Sequence, residues 1–228
     1  MAQKNAWEKE YQNPSLIKLS DEPRKDLKEY MKFLRRKEDV ALENLNILDL
    51  GSGNGKNSNY LAELGNKVIG FEISPTALGL ARSKSRDVGV DVNYIQADIS
   101  APYSLENESI DLVVDIMSSN SLNESEREIY LKEVYRVLKS DGHFFVRGLC
   151  KDGDQNAKNL IKLSPGKEYD TYINKDMNLT ERVFSRADFI SMYSKYFEIQ
   201  QLTIKTNYAK FKGQNYKRNY WLAYMKKV

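Results

Sequence analysis

The chain has 228 residues, 41% of them hydrophobic and 29% charged, a globular composition sized for one ordinary α/β domain or two small ones. A single cysteine, Cys150, and a single histidine, His143, exclude an intrachain disulfide, a Cys-rich or multi-His metal site and any two-histidine mechanism. Lys and Arg number 35 against 32 Asp and Glu, for a net charge of +3, too mild a balance to imply nucleic acid by itself.

The opening residues, MAQKNAWEKEYQNP, have no apolar stretch of the kind a secretory leader needs. No apolar run approaches the roughly 20 residues of a membrane span, so a cytoplasmic protein without a membrane partner is expected. Helices are expected in the first forty residues. Leu27, Tyr30, Met31 and Leu34 recur at helical spacing behind Pro23, which suits a first turn, with Ser20 and Asp21 as candidate caps.

From residue 46 the pattern alternates. Strands are expected at 47–50, 67–71, 91–96, 110–116 and 143–147, and helices at 57–64, 75–88 and 124–139. Ser140-Asp141-Gly142 marks a turn before the fifth strand. Alternation of this kind predicts a parallel sheet with helices on both faces. Residues 151–182 break the rhythm and read as a polar insertion or lid. A helix follows at 185–196, then strands at 197–206 and 220–225, a pair suited to an antiparallel hairpin at the sheet edge. The polar, Lys-rich stretch 207–219 is expected to connect them.

The sharpest local signal is Ile47-Leu48-Asp49-Leu50-Gly51-Ser52-Gly53-Asn54-Gly55. A buried strand runs into three alternating glycines and then a helix begins, so a ligand can approach the backbone and meet free N–H groups. A P-loop would require glycine at Leu50 and a hydroxyl at Asn57, and both fail. The dinucleotide fingerprint would require its third glycine at Lys56.

The remaining pattern, D-x-G-x-G-x-G, resembles that of the class I S-adenosylmethionine-dependent methyltransferases, and the resemblance continues in register over about residues 46–150. Glu72 ends the second strand, followed by Ile73. Asp98 follows the third strand. Residues 110–115 match the fourth-strand pattern, and Val137-Leu138-Lys139-Ser140-Asp141-Gly142 matches the turn into the fifth. The resemblance implies a Rossmann-like seven-stranded, mainly parallel sheet with an antiparallel C-terminal hairpin, and S-adenosyl-L-methionine as cofactor. It places cofactor contacts at Tyr11, Asp49, Gly51, Ser52, Gly53, Asn54, Gly55, Asn57, Glu72, Ile73, Asp98, Ile99 and Asp115. Glu72 would hold the ribose hydroxyls and Ile73 would pack on the adenine. Tyr11, with Trp7, belongs to a pattern that folds over the cofactor in related enzymes; a surface helix with aromatic anchors is the other reading.

Substrate candidates lie beyond the carboxyl ends of the fourth and fifth strands: Ser118, Asn120 and Arg147. Arg147 suits an anionic substrate group or an internal ion pair. Cys150 is expected to be a buried, inert thiol and His143 a structural residue. Lys205, Lys210, Lys212, Lys217 and Arg218, interleaved with Tyr208, Phe211 and Tyr216, suit single-stranded RNA or, better, a solvated hairpin. The expectation is a methyltransferase domain at 46–228 behind a helical cover at 1–45, with a lid at 151–182. A small-molecule acceptor is favoured over RNA. An NAD-dependent oxidoreductase and a non-catalytic cofactor-binding module are the rival readings. No general base or oligomeric state follows from the residues.

Overall fold

The computed structural model describes residues 3–15, 17, 19–211 and 214–228, with the backbone alone at 209–211 and 214. Two helices, α1 (Lys4–Gln12) and α2 (Lys25–Lys37), precede an alternating core. It runs through β1 (Asn46–Leu50), α3 (Lys56–Glu63), β2 (Lys67–Glu72), α4 (Pro75–Val88), β3 (Val92–Gln96), β4 (Ile110–Ile116), α5 (Glu124–Val137) and β5 (Leu138–Leu149). Then come α6 (Gln155–Leu163), β6 (Thr171–Asn174), β7 (Leu179–Arg182), α7 (Arg186–Tyr193), β8 (Phe197–Phe211) and β9 (Gln214–Lys227).

Seven strands form one sheet in the order β3-β2-β1-β4-β5-β9-β8, and β6 and β7 form a separate pair. Strands β1 to β5 are parallel and β9 runs antiparallel to both β5 and β8, as the resemblance implied. The strand order reverses at β1, which lies between β2 and β4, so ligands are expected beyond the carboxyl ends of these strands.

Alternation along each strand divides the core between two faces. Phe144 and Val146 of β5 pack with α5 and α7 in one cluster, whereas Phe145 packs with α2, α3 and α4 in the other. Helix α2 buries Leu27, Tyr30, Met31 and Leu34, each worth roughly 1.5–3 kcal/mol. Tyr30 stacks on Phe145 at 4.8 Å between ring centroids. The expected amphipathic face is therefore the docking face, with Asp26 also buried on it. A third cluster, Leu149, Ala157, Tyr172 and Val183, joins α6 and the β6–β7 pair to the end of β5, with Met117 and Tyr220 packed against it.

Three expectations need correction. Helix α2 begins at Lys25 with Arg24 at its N-cap and no side-chain cap, so Pro23 precedes the helix and neither Ser20 nor Asp21 caps it. Residues 140–142 are not a turn between elements: β5 leaves α5 directly at Leu138 and passes through them, with Asp141 in the left-handed region at φ 64°. The stretch 207–219 is mostly strand, paired in register from Asn207↔Arg218 to Phe211↔Gln214. Polar side chains fit an edge strand facing water, so composition there mimicked a loop. Lys212 lies outside the described residues, as does the side chain of Lys210.

Candidate cofactor and acceptor site

The glycine turn hangs from β2. Gly51 and Ser52 donate their N–H groups to Phe71 O at 2.8 and 2.9 Å, and Gly53 N–H donates to Glu72 Oε2 at 2.9 Å. Gly51, Gly53 and Gly55 adopt φ of +71°, +57° and +82°, a region that side chains with a Cβ rarely enter. A Cβ on Gly51 would stand 2.5 Å from Ser118 Cβ, and one on Gly53 2.5 Å from Tyr11 Oη. The Ser52 hydroxyl is buried with no partner among the described residues. A backbone cradle open to close approach, an orphaned hydroxyl beside it and a carboxylate at the end of β2 form a donor and acceptor set that fits the cofactor.

Glu72 is 5% exposed. Its carboxylate accepts from Gly53 N–H, Ile73 N–H at 2.8 Å and Ser74 N–H at 2.9 Å, while burial pushes its pKa upward. Asp49 accepts from Ser58 Oγ at 2.6 Å. Burial, reinforced by the charges of Asp115 and Glu72, raises its carboxyl to about 7. The folded value lies well above the ordinary range of an aspartate, so the fold binds this proton more tightly than the unfolded chain does. The stability carried by the neutral carboxyl is complete below about pH 4 and is lost as pH rises through about 7. Thermal melts of the ligand-free protein are expected to show a fall in stability across this window that the variant Asp49→Asn lacks.

Helix α1 crosses the mouth of this cleft. Gln3 bonds Thr180 in both directions at 2.8 Å and also reaches Ser121 O. At the other side Glu8 accepts from Ser74 Oγ at 2.6 Å, from Thr76 Oγ1 at 2.5 Å and from Thr76 N–H at 3.2 Å, fastening α1 to the first turn of α4. Tyr11 thereby faces Gly53 beside the charges of Glu72 and Asp49, which raise its phenol further after burial has done so. The anchors Gln3 and Glu8 were missed in the sequence. The only signal for Glu8 is its place between Trp7 and Tyr11.

Several other candidates turn inward. Asn54 Nδ2 donates to Ser20 O at 3.2 Å, and Asn57 Oδ1 accepts from Arg24 N–H at 3.0 Å. Asp98 accepts from Ser100 N–H and Oγ at 2.9 and 2.6 Å, and Ile99 joins the core beside α5. Asp115 accepts from Tyr130 Oη at 2.6 Å on one oxygen and from Ser118 on the other. Ser118 also donates to Leu50 O at 2.7 Å, and Asn120 Oδ1 accepts from Leu149 N–H at 2.9 Å. Arg147 pairs through Nε with Asp26 Oδ2 at 3.0 Å and lies 3.6 Å over the Tyr220 ring. These contacts brace the strand ends and leave Glu72, Ile73, Ser52 and the glycines as the groups best placed to meet a cofactor.

The remaining candidates behave as bracing or inert groups. Cys150 is buried, donates to Asp152 O at 3.4 Å and is pushed up to about 12 by burial, so its thiol stays protonated. His143 lines a small cavity of about 180 Å³ with Leu34, Asp111 and Lys139, at the opposite end of the sheet from the glycine turn. Lys205 faces Asp26 and Glu29 at 3.9 Å, and Arg218 pairs with Asp154 at 3.3 Å and reaches Tyr172 Oη at 3.1 Å. Both are thus tied to neighbouring groups of the fold. Among the described residues no helix is long and apolar enough to cross a membrane.

Fold and glycine turn together define a class I methyltransferase. The profile of the family "Methyltransferase domain" matches residues 48–146. An uncharacterized methyltransferase of Schizosaccharomyces pombe is 34% identical over 106 residues, covering 46% of this chain and 72% of its own length. A ubiquinone biosynthesis O-methyltransferase of Pelagibacter ubique is 25% identical over 138 residues, 60% of this chain and 54% of that protein. Among solved structures, a SAM-dependent methyltransferase of Methanosarcina mazei superposes with a TM-score of 0.71 at 22% identity, over 82% of this chain and 93% of that one. The chain belongs to the class I S-adenosylmethionine-dependent methyltransferase superfamily, and S-adenosylmethionine is its cofactor.

Proposed function

We propose that the chain moves the methyl group of S-adenosylmethionine to a nucleophilic atom of a small molecule held between the glycine turn and a cover built from α1, α6 and the β6–β7 pair. The observation that carries this reading is the strap made by α1, pinned at Thr180 and Ser121 on one side and at Ser74 and Thr76 on the other. A mouth crossed in this way suits an enclosed acceptor better than a polymer. The name of the Pelagibacter relative, a ubiquinone biosynthesis enzyme, supports the same choice. In this reading residues 1–45 and 151–182 are cover segments and 46–228 is the methyltransferase domain.

Bound S-adenosylmethionine supplies an electrophilic methyl on a sulfonium. Glu72 would accept the ribose hydroxyls, Ile73 would lie against the adenine, and the turn at Gly51, Gly53 and Gly55 would let the methionine end approach the backbone. Tyr11 closes over Gly53 and excludes water. Alignment in a dry site is the main contribution of the chain, and no side chain is assigned as base. The test is incubation with cofactor labelled in the methyl group, offered a small-molecule extract and total RNA in parallel. Label is expected in a low-mass organic product. Label that precipitates with RNA and is released by ribonuclease would overturn the reading.

A further inference from the structure

Beside the cradle three cations converge at the carboxyl-terminal edge of the sheet. Arg24 immediately precedes α2, and its N–H donates to Asn57 Oδ1 at 3.0 Å, which sets it next to Lys56 at the start of α3. Arg147, at the end of β5, lies over the ring of Tyr220 on β9. Asp26 is already paired with Arg147 and also faces Lys205. The neighbouring Asp21 pairs with Lys84, and Glu29 faces Lys205. Among the described residues, Arg24 and Lys56 have no carboxylate within ion-pair distance. Burial and the positive charges of Arg24, Lys84 and Arg147 lower the Lys56 ammonium to about 8 against the opposing charge of Asp21. Arg24 before α2 and Lys56 at the start of α3 thus add positive charge where helix amino termini already favour an anion.

The same corner has an apolar wall. Tyr220 packs against the lid cluster with Met117, Leu160 and Ile161. Met117 is a non-glycine residue held at φ 74° just past β4, its N–H donating to Arg147 O at 2.9 Å. Arg147, lying over the Tyr220 ring, joins the cations to this apolar wall.

We infer that the methyl acceptor carries a carboxylate or phosphate on an apolar body, with the anion seated by Arg24 and Lys56 in front of Arg147 and the body against Tyr220 and the lid. This rests on the methyl-transfer reading above and names its substrate class. The methionine carboxylate of the cofactor has the same chemistry, so the test separates the two sources. Protein saturated with S-adenosylhomocysteine is titrated calorimetrically with benzoate and phenyl phosphate, with benzamide as the neutral control. Arg24→Gln/Lys56→Gln is examined alongside, since both side chains reach solvent and their exchange leaves the buried Asp26–Arg147 pair intact.

At least one anion is expected to bind about tenfold or more tighter than benzamide, and the double variant to lose that preference while its affinity for S-adenosylhomocysteine changes less than about threefold. Equal binding of anions and benzamide, or no binding of any probe, would overturn the proposal. So would a loss of S-adenosylhomocysteine affinity that matches the loss of anion affinity, because the cluster would then serve the cofactor. Failure of the wild-type protein to take up S-adenosylhomocysteine at all would instead refute the methyl-transfer reading, and the acceptor proposal with it.

Discussion

Replacing Gly53 with valine is expected to abolish cofactor binding. Gly53 sits at φ +57°, and its missing Cβ leaves the space in which Tyr11 Oη lies 2.5 Å from the ideal Cβ position. A non-glycine residue in this region costs roughly 1–2 kcal/mol, and a β-branched one more. The added methyls would also project toward Tyr11 and the groove that the cofactor enters. Affinity for S-adenosylhomocysteine should fall by more than about a hundredfold, close to 3 kcal/mol. Gly79→Ala is the control, since no atom lies within 4 Å of its ideal Cβ. It should leave binding unchanged and stabilise α4 by about 0.5–1 kcal/mol.

The second large effect is on stability. Arg147 and Asp26 are both buried, at 2% and 5% exposure, and their pairing ties the end of β5 to the first turn of α2. Arg147→Met leaves Asp26 charged in a dry setting, with Lys205 at 3.9 Å as its nearest remaining partner. Breaking one side of a buried pair typically costs about 3–5 kcal/mol, which for a chain of this size lowers the melting temperature by roughly 10 °C. The double variant Asp26→Leu/Arg147→Met should recover most of that loss, because the desolvation of two charges is removed together. Thermal melts of the three proteins check this. A single variant that melts with the wild type would show that the pair is not the brace described.

The parallel core was legible because its signals are local. Buried strands read as continuous apolar runs, and the glycine turn requires positive φ. What was hidden depends on distant partners. Arg147 meets Asp26 across 121 positions and Glu8 meets Ser74 across 66, and no spacing rule reports such pairs. Ser118 and Asn120 lie where substrate candidates should, yet one bonds Leu50 O and the other Leu149 N–H. Position at a strand end locates a region without telling which side chains face into it. The stretch 207–219 resembles a loop because lysines, amides and Gly213 outweigh its interleaved aromatic residues, and only pairing reveals the strands.

Glu72 gives the most direct test of how the cradle holds its cofactor. The carboxylate gathers three backbone N–H groups from the glycine turn and the β2–α4 junction, and in the proposed function its remaining lone pairs would take the ribose hydroxyls. Calorimetric titration of wild type and Glu72→Ala with S-adenosylhomocysteine measures both contributions in one number. Saturable binding by the wild type, weakened roughly ten- to hundredfold in the variant, is the expected result. A variant that binds within about twofold of the wild type would contradict the placement of the ribose at Glu72.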